Sequence, residues 1–356
     1  MLELTQVVCS GSPEQLGQAY GTAVKTQVQA FVDQRLRAAK VYLYERGIRD
    51  LDAFRRIGAD CLLALKAWHP EGWVEHCATA AAAGVDAVDL YTTGNMTDVR
   101  DVLALGQAVA DAEGCTSAIA PATHTRGGQL IAAQTWDLNP TDLDFVVAVH
   151  RRPTTGLETW SITCAGCPSL MGMNAAGVAV GTTNIKTRGS RKGIPYLSLL
   201  HRALQCPDRM SAERAITSAP RAAAHTYWIA GPDGACDLEC TADTVVRRDL
   251  VDGPLTRTNH CLVPENQIRE GEPATASSKA RLSRARATLA RRDLDVDALQ
   301  DLFSDRSDGV DSINRFAEDG QGTSTNACMI AVPARRELHA CRGSADRGRW
   351  VHLAYG

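Results

Sequence analysis

Cys115 follows a glycine in the run Glu113-Gly114-Cys115-Thr116-Ser117, where the chain changes from a helical to a strand-rich texture. A thiol that ionises is a nucleophile toward carbonyl carbon. Taken alone, a Gly-Cys pair among twelve cysteines reads as structural. Three other segments set this one apart. Gln134-Thr135-Trp136-Asp137 ends the next strand-like run, Asn184 ends a hairpin, and Arg257-Thr258-Asn259-His260-Cys261 closes a later strand. Each puts polar groups at a strand terminus, where a sheet can hold them rigidly beside one site.

Other motifs point elsewhere or nowhere. Cys164-Ala165-Gly166-Cys167 has metal or redox spacing, but the second pair, Cys236 and Cys240, has a three-residue gap, so buried inert thiols are the better reading and no metal is expected. No Gly-rich phosphate loop leads into a lysine, and no His-Glu-x-x-His occurs. Asn95-Met96-Thr97 matches a glycosylation acceptor by chance.

The elements that must position these residues fall into two groups. Ser12-Pro13-Glu14 offers an N-cap with proline at the first helical position, and Leu16, Tyr20, Val24, Val28 and Phe31 recur at helical spacing. A second helix follows Asp50 and ends before Pro70, with more helix at Ala78–Ala83 and Val99–Ala112. The first third therefore reads as helical. Beyond Gly114, strands are predicted at Gln129–Asp137, Phe145–Arg151, Leu157–Cys164, Val178–Asn184, His225–Ala230, Ala235–Thr241 and Thr244–Arg248. Helices return at Pro195–Cys206, Ser211–Ser218, Ser277–Arg292 and Asp297–Asp305, before closing strands at Asn326–Val332, Glu337–Arg342 and Trp350–Ala354. Runs of strands with grouped helices indicate an α+β layered fold in one domain.

Composition narrows the partners. Of 356 residues, 44% are hydrophobic and 22% charged, with a net charge of −3. That leaves no basic field for nucleic acid. No run of about 18 apolar residues predicts a membrane span, and the first residues lack a secretory pattern. A cytoplasmic location with mostly reduced cysteines is the expectation.

The order Gly114-Cys115-Thr116, Gln134-Thr135-Trp136-Asp137, Asn-x-Ala-Gly-Val-Ala-Val around residues 174–180 and Thr258-Asn259-His260-Cys261-Leu262 resembles the acyl-coenzyme A:6-aminopenicillanic acid (isopenicillin N) acyltransferase family of N-terminal-nucleophile hydrolases. The resemblance runs from Gly17-Gln18-Ala19-Tyr20-Gly21 to the closing strands. It implies a four-layer αββα sandwich and a precursor that cuts itself between Gly114 and Cys115, giving a chain 1–114 and a chain 115–356 that stay together as one domain. It implies Cys115 as nucleophile, Asp137 as the aspartate that orients the new amine, Asn259 as oxyanion donor, Arg315 as the active-site arginine and Asn184 as an asparagine near the scissile carbonyl. Gln134, Thr135 and Trp136 would meet substrate; Gln134 stands where bile-salt hydrolases carry arginine, which argues against a bile-salt substrate.

The chemistry is self-consistent. A free α-amine, with a pKa of about 7.7–8.0, can serve as base for its own thiol. One oxyanion donor is typically worth ~2.7–4 kcal/mol. Glycine before the cysteine lets the backbone twist at low cost. The mechanism does not need His260, for which a structural hydrogen bond is expected, and His225 has no motif around it. The expected activity is amide hydrolysis of a small N-acyl compound through a thioester, without a cofactor. Coenzyme A-dependent acyl transfer and a non-catalytic binding protein are the alternatives, and a homo-oligomer stays open.

Overall fold

Local chain chemistry starts the helical layer as expected. The computed structural model describes residues 1–104, 114–251 and 253–356. Helix α1 (Pro13–Ala23) opens with a reciprocal capping box: the Ser12 hydroxyl accepts from Gln15 N, and the Gln15 side chain accepts from Ser12 N. Helices α2 (Lys25–Glu45), α3 (Leu51–Trp68), α4 (Pro70–Ala83), α5 (Ala87–Gly94) and α6 (Met96–Ala104) follow. Asp50 caps α3, and Pro70 begins α4. The helix expected over Val99–Ala112 is present as far as Ala104; its remainder lies outside the described residues.

Gly17 and Gly21 explain the Gly-x-x-x-Gly run of the first helix. A Cβ at either would stand 2.2 Å from the Glu75 or Thr79 carbonyl oxygen, so only glycine lets α1 lie directly on α4. The Tyr20 hydroxyl then reaches past α4, donating to Cys164 O at 3.1 Å and accepting from Gly166 N at 3.0 Å.

Two sheets form the centre. The eight-stranded sheet runs in the order β1 (Thr5–Gly11), β4 (Val146–Pro153), β5 (Thr159–Cys164), β6 (Met171–Asn174), β7 (Ala179–Asn184), β8 (His225–Gly231), β9 (Gly234–Cys240), β10 (Val245–Asp249). The six-stranded sheet runs β11 (Leu255–Arg257), β2 (Gly114–Ala120), β3 (Ile131–Leu138), β12 (Ser324–Val332), β13 (Glu337–Arg342), β14 (Val351–His352). Pairing is antiparallel throughout except for β1 on β4. Strand β1 departs from the helical reading of the first third: only Val7 and Cys9 are buried in it, too short an alternation to stand out.

Helices α1, α7 (Tyr196–Leu204) and α8 (Arg209–Thr217) cover the eight-stranded sheet, while α10 (Ala276–Leu289) and α11 (Val296–Phe303) cover the other; the short α9 (Pro264–Gln267) precedes α10 in the chain. Burial follows the layers. One core joins the first helices to both sheets, and a second, with Ile131, Ile330, Leu299 and Phe303, lies under α10 and α11. The expected four-layer αββα sandwich is therefore the observed fold. Among the described residues no helix is long and apolar enough to cross a membrane.

Candidate active site

Strand register builds the site. Pairing of β2 with β3 sets Gly114 opposite Asp137 and Cys115 opposite Trp136. Cys115 is 8% exposed, and its Sγ lies 3.9 Å from the Asp137 carbonyl oxygen. Across the gap between the sheets, the Thr183 hydroxyl of β7 donates to Thr258 O at 2.8 Å, and Asn259 N donates to Ser278 Oγ at 2.9 Å. These bonds fix Asn259 between β7 and α10. Its Oδ1 accepts from Cys115 N at 2.8 Å, and its Nδ2 donates to Asn184 O at 3.1 Å. Cys115, Asn259 and Asn184 thus form one connected group. Against the expectation of a pure donor, Asn259 turns its oxygen toward Cys115; the second Nδ2 proton is what can meet a developing oxyanion.

Arg281 is the residue the sequence reading lacked. It is fully buried on α10, donates from Nη1 to Cys115 O and to Thr116 Oγ1 at 3.1 Å, and from Nη2 to Asn259 Oδ1 at 3.0 Å. Its Nε donates to Ser277 Oγ at 3.2 Å. Both acceptors of Cys115 and Asn259 are therefore held by one guanidinium. Burial pulls its pKa down to about 10, against the pull of Asp137 and with the push of Arg315. Ser277 and Arg281 stand four apart on one helix face, a spacing visible in the sequence but carried by no catalytic motif.

Asp137 and Arg315 flank Gly114. A Cβ at Gly114 would stand 2.7 Å from Arg315 Nη1 and 2.9 Å from Asp137 Oδ2, so close packing by itself calls for glycine at this position. Asp137 is 1% exposed. Burial raises its pKa to about 6, while Arg281 and Arg315 oppose the rise. A carboxyl that changes charge near neutral pH, beside a thiol and two guanidinium groups, is a common mark of a reactive site.

A cleft of about 370 Å³ opens on Cys115. Trp136, Leu138, Leu170 and the Tyr196 ring give it apolar walls; Thr97, Thr182, Asn184 and His225 add polar ones. His225 lies across the strand from Asn184, its Nε2 2.7 Å from Asp98 Oδ1 and its ring stacked on Tyr196. Of the three residues expected to meet substrate, Trp136 lines this cleft. Gln134 does not: its Oε1 accepts from Thr182 N and Trp228 Nε1, which makes it a strut between the sheets. Thr135 accepts from Thr116 N within its own sheet. His260 Nδ1 lies 2.7 Å from Ser278 Oγ and 3.3 Å from Thr258 Oγ1, so it braces the Asn259 loop.

Comparison with known proteins finds relatives over most of the chain. The chain is 25% identical over 323 residues, covering 89% of its length and 86% of the relative's, to the acyl-coenzyme A:6-aminopenicillanic-acid-acyltransferase 40 kDa form of Emericella nidulans. Among solved structures it is similar to an N-acylethanolamine-hydrolyzing acid amidase ortholog of Caenorhabditis elegans (14% identity, TM-score 0.46, covering 62% of this chain and 93% of that one). It is also similar to penicillin V acylase of Agrobacterium tumefaciens (13% identity, TM-score 0.43, covering 67% and 86%). The family model described as acyl-coenzyme A:6-aminopenicillanic acid acyl-transferase matches residues 124–347, and the chain belongs to that family.

Proposed function

We propose that the protein is a self-processing cysteine amidohydrolase or acyltransferase acting on the amide bond of a small N-acyl compound. The observation that carries the reading is the direct hydrogen bond of Cys115 N to Asn259, with Arg281 holding both the Cys115 carbonyl and the Asn259 oxygen. A main-chain nitrogen tied to a polar network in this way is of little use to a thiol while it is an amide, and of much use once it is an amine.

In the first step Cys115 Sγ attacks the Gly114 carbonyl carbon. The acyl chain moves from nitrogen to sulfur as the C–N bond breaks, and the nitrogen gains a proton to become an amine. Water then hydrolyses the thioester, leaving a chain of 114 residues and one of 242 of the 356. In turnover the amine of Cys115 takes the thiol proton and later returns it to the leaving amine. Asn259 Oδ1 and ionised Asp137 orient that amine, the carboxylate favouring its protonated form. Arg281, the cation bonded to the Cys115 carbonyl, stabilises the thiolate, with Arg315 adding to the field. The acyl-enzyme is resolved by water or by an acceptor amine. Acyl transfer is supported by the fungal acyltransferase relative, which spans 89% of this chain.

Intact mass of the purified protein tests the reading. Two co-purifying species of 114 and 242 residues are expected, and a single uncut species for Cys115→Ala. Cleavage of Cys115→Ala at the same bond would sink the mechanism. Turnover of an N-acyl amine panel, with and without an acceptor amine, separates hydrolysis from transfer.

A further inference from the structure

A second cleft adjoins the one on Cys115. It measures about 390 Å³ and is lined by Asn184 and Asn259, and Asn184 lines the Cys115 cleft as well, so the two meet at that residue. Its further walls are Lys186, Glu270, Glu272 and Thr275. Where the first cleft is walled by Trp136, Leu138, Leu170 and Tyr196, this one is charged and polar. Backbone pairing builds it. The chain leaving β7 and the chain leaving α9 run side by side: Arg188 N donates to Arg269 O at 2.8 Å and Gly271 N to Lys186 O at 2.9 Å, with Thr187 and Glu270 opposite each other in an antiparallel bridge.

The charges on this wall do not balance. Lys186 Nζ pairs with Glu272 Oε2 at 2.9 Å, the lysine side chain being 9% exposed. Glu270 Oε1 accepts from Cys261 N at 2.6 Å, which ties it to the turn after Asn259. That leaves two carboxylates against one ammonium. Glu270 is half-buried and has no ion pair among the described residues. A carboxylate partly out of water gains most from a cation that can also donate hydrogen bonds to it. An anion in the same place would have to draw Lys186 away from Glu272 and lie beside Glu270, a like charge.

The course of the reaction gives this cleft its occupant. Cys115 Sγ keeps the acyl group after the C–N bond breaks, and Cys115 lines the apolar cleft. The departing nitrogen needs a proton, and the donor is Cys115 N, which lies 2.8 Å from Oδ1 of Asn259, a wall of the second cleft. We propose that the amine half of the substrate occupies the cleft behind Asn184 and Asn259, and that it carries a second, positively charged amino group held by Glu270. The inference rests on the proposed function and narrows the substrate to amides of diamines. As the amide bond breaks, the acyl carbon stays on sulfur, the near nitrogen takes the proton from Cys115 N, and the far ammonium keeps its charge. By reversal of the same path, an acceptor amine enters through this cleft when the acyl group is transferred instead of hydrolysed.

Two amides of nearly the same shape test this on the full chain near neutral pH, where the far amine is charged. N-phenylacetyl-1,4-diaminobutane should be hydrolysed with a kcat/KM at least about tenfold above that of N-pentylphenylacetamide, as expected for hydrogen bonds to a charged group. Glu270→Gln, which keeps an oxygen for Cys261 N, should bring the two amides to within about twofold of each other. Lys186→Gln should act in the opposite direction and widen the preference about threefold, because it leaves two carboxylates and no ammonium on the wall. A variant that had only lost its fold could not gain selectivity in this way. A preference that survives Glu270→Gln, or that Lys186→Gln lowers, overturns the proposal. If the parent hydrolyses both amides equally well, the proposed function stands and the cation site falls. If the parent is uncut and hydrolyses neither, the proposed function fails; tighter binding of the diamine amide than of the pentyl amide, lost in Glu270→Gln, would then still uphold the cation site.

Discussion

At the residue scale, two charged groups, Asp137 and Arg281, stand close to Cys115. Asp137 has a carboxyl whose pKa rises from 3.8 to about 6 on burial. The folded chain therefore binds the extra proton between those values, so this residue favours folding below about pH 4 and loses that contribution as pH rises through 6, about 3 kcal/mol in all. Asp137→Asn should lack this slope. Urea unfolding of parent and variant at pH 4 to 7 should show the variant gaining relative stability as pH rises, while its turnover falls; parallel curves would remove the strained carboxylate. Arg281→Met should cut processing and turnover by about 10²-fold or more, since it frees the carbonyl of Cys115 and the oxygen of Asn259 together, with circular dichroism checking the fold. Asp137, Asn184 and Asn259 were legible because each stands in a short run at a strand end, and the structure brings them to Cys115. Arg281 was not, because a buried arginine on a polar helix looks like any solvated one until its partners across 166 residues are known.

At the scale of elements, the Asn259 loop depends on a charge cluster that joins the two sheets. Asp237 and Glu239 share one face of β9, and both bind Arg257 of β11. Glu239 also accepts from Leu262 N at 2.9 Å, Val263 N at 3.2 Å and Asn266 Nδ2 at 3.0 Å, so one carboxylate ends the strand and shapes the turn after Asn259. Removing one member of a buried pair leaves an uncompensated charge and typically costs ~3–5 kcal/mol. Glu239→Ala should lose about that much in thermal or urea unfolding and leave part of the chain uncut at Gly114. An unchanged melting profile would show the cluster to be dispensable. The elements themselves were readable from period and capping, with Ser12-Pro13 and Asp50 the clearest starts. Elements β2, β6 and α5 were not predicted, nor was β1, whose side chains say little because its place is set by a long-range parallel pairing with β4.

At the scale of the molecule, the segment before Cys115 is woven into the sandwich at several depths. It supplies the edge strand β1, helix α1 over the eight-stranded sheet, the buried Glu75 that pairs with Arg151, and Asp98, which binds both His225 and Tyr196 N. Cutting the Gly114–Cys115 bond should therefore release nothing: the two fragments should co-elute in size-exclusion chromatography and part only in denaturant. Residues 115–356 expressed alone should be insoluble or inactive, and recover activity when refolded with 1–114. A soluble, active second fragment would contradict this. The cleft on Cys115 has a further consequence. Thr97, and the Asp98 that holds His225, stand before the proposed cut, whereas the proposed nucleophile would head the piece after it. Selectivity and reactivity would then reside on separate polypeptides, so pairing one 115–356 fragment with first fragments carrying different residues at 97 and 98 amounts to a modular enzyme, retuned for new acyl compounds without altering the piece that performs the reaction.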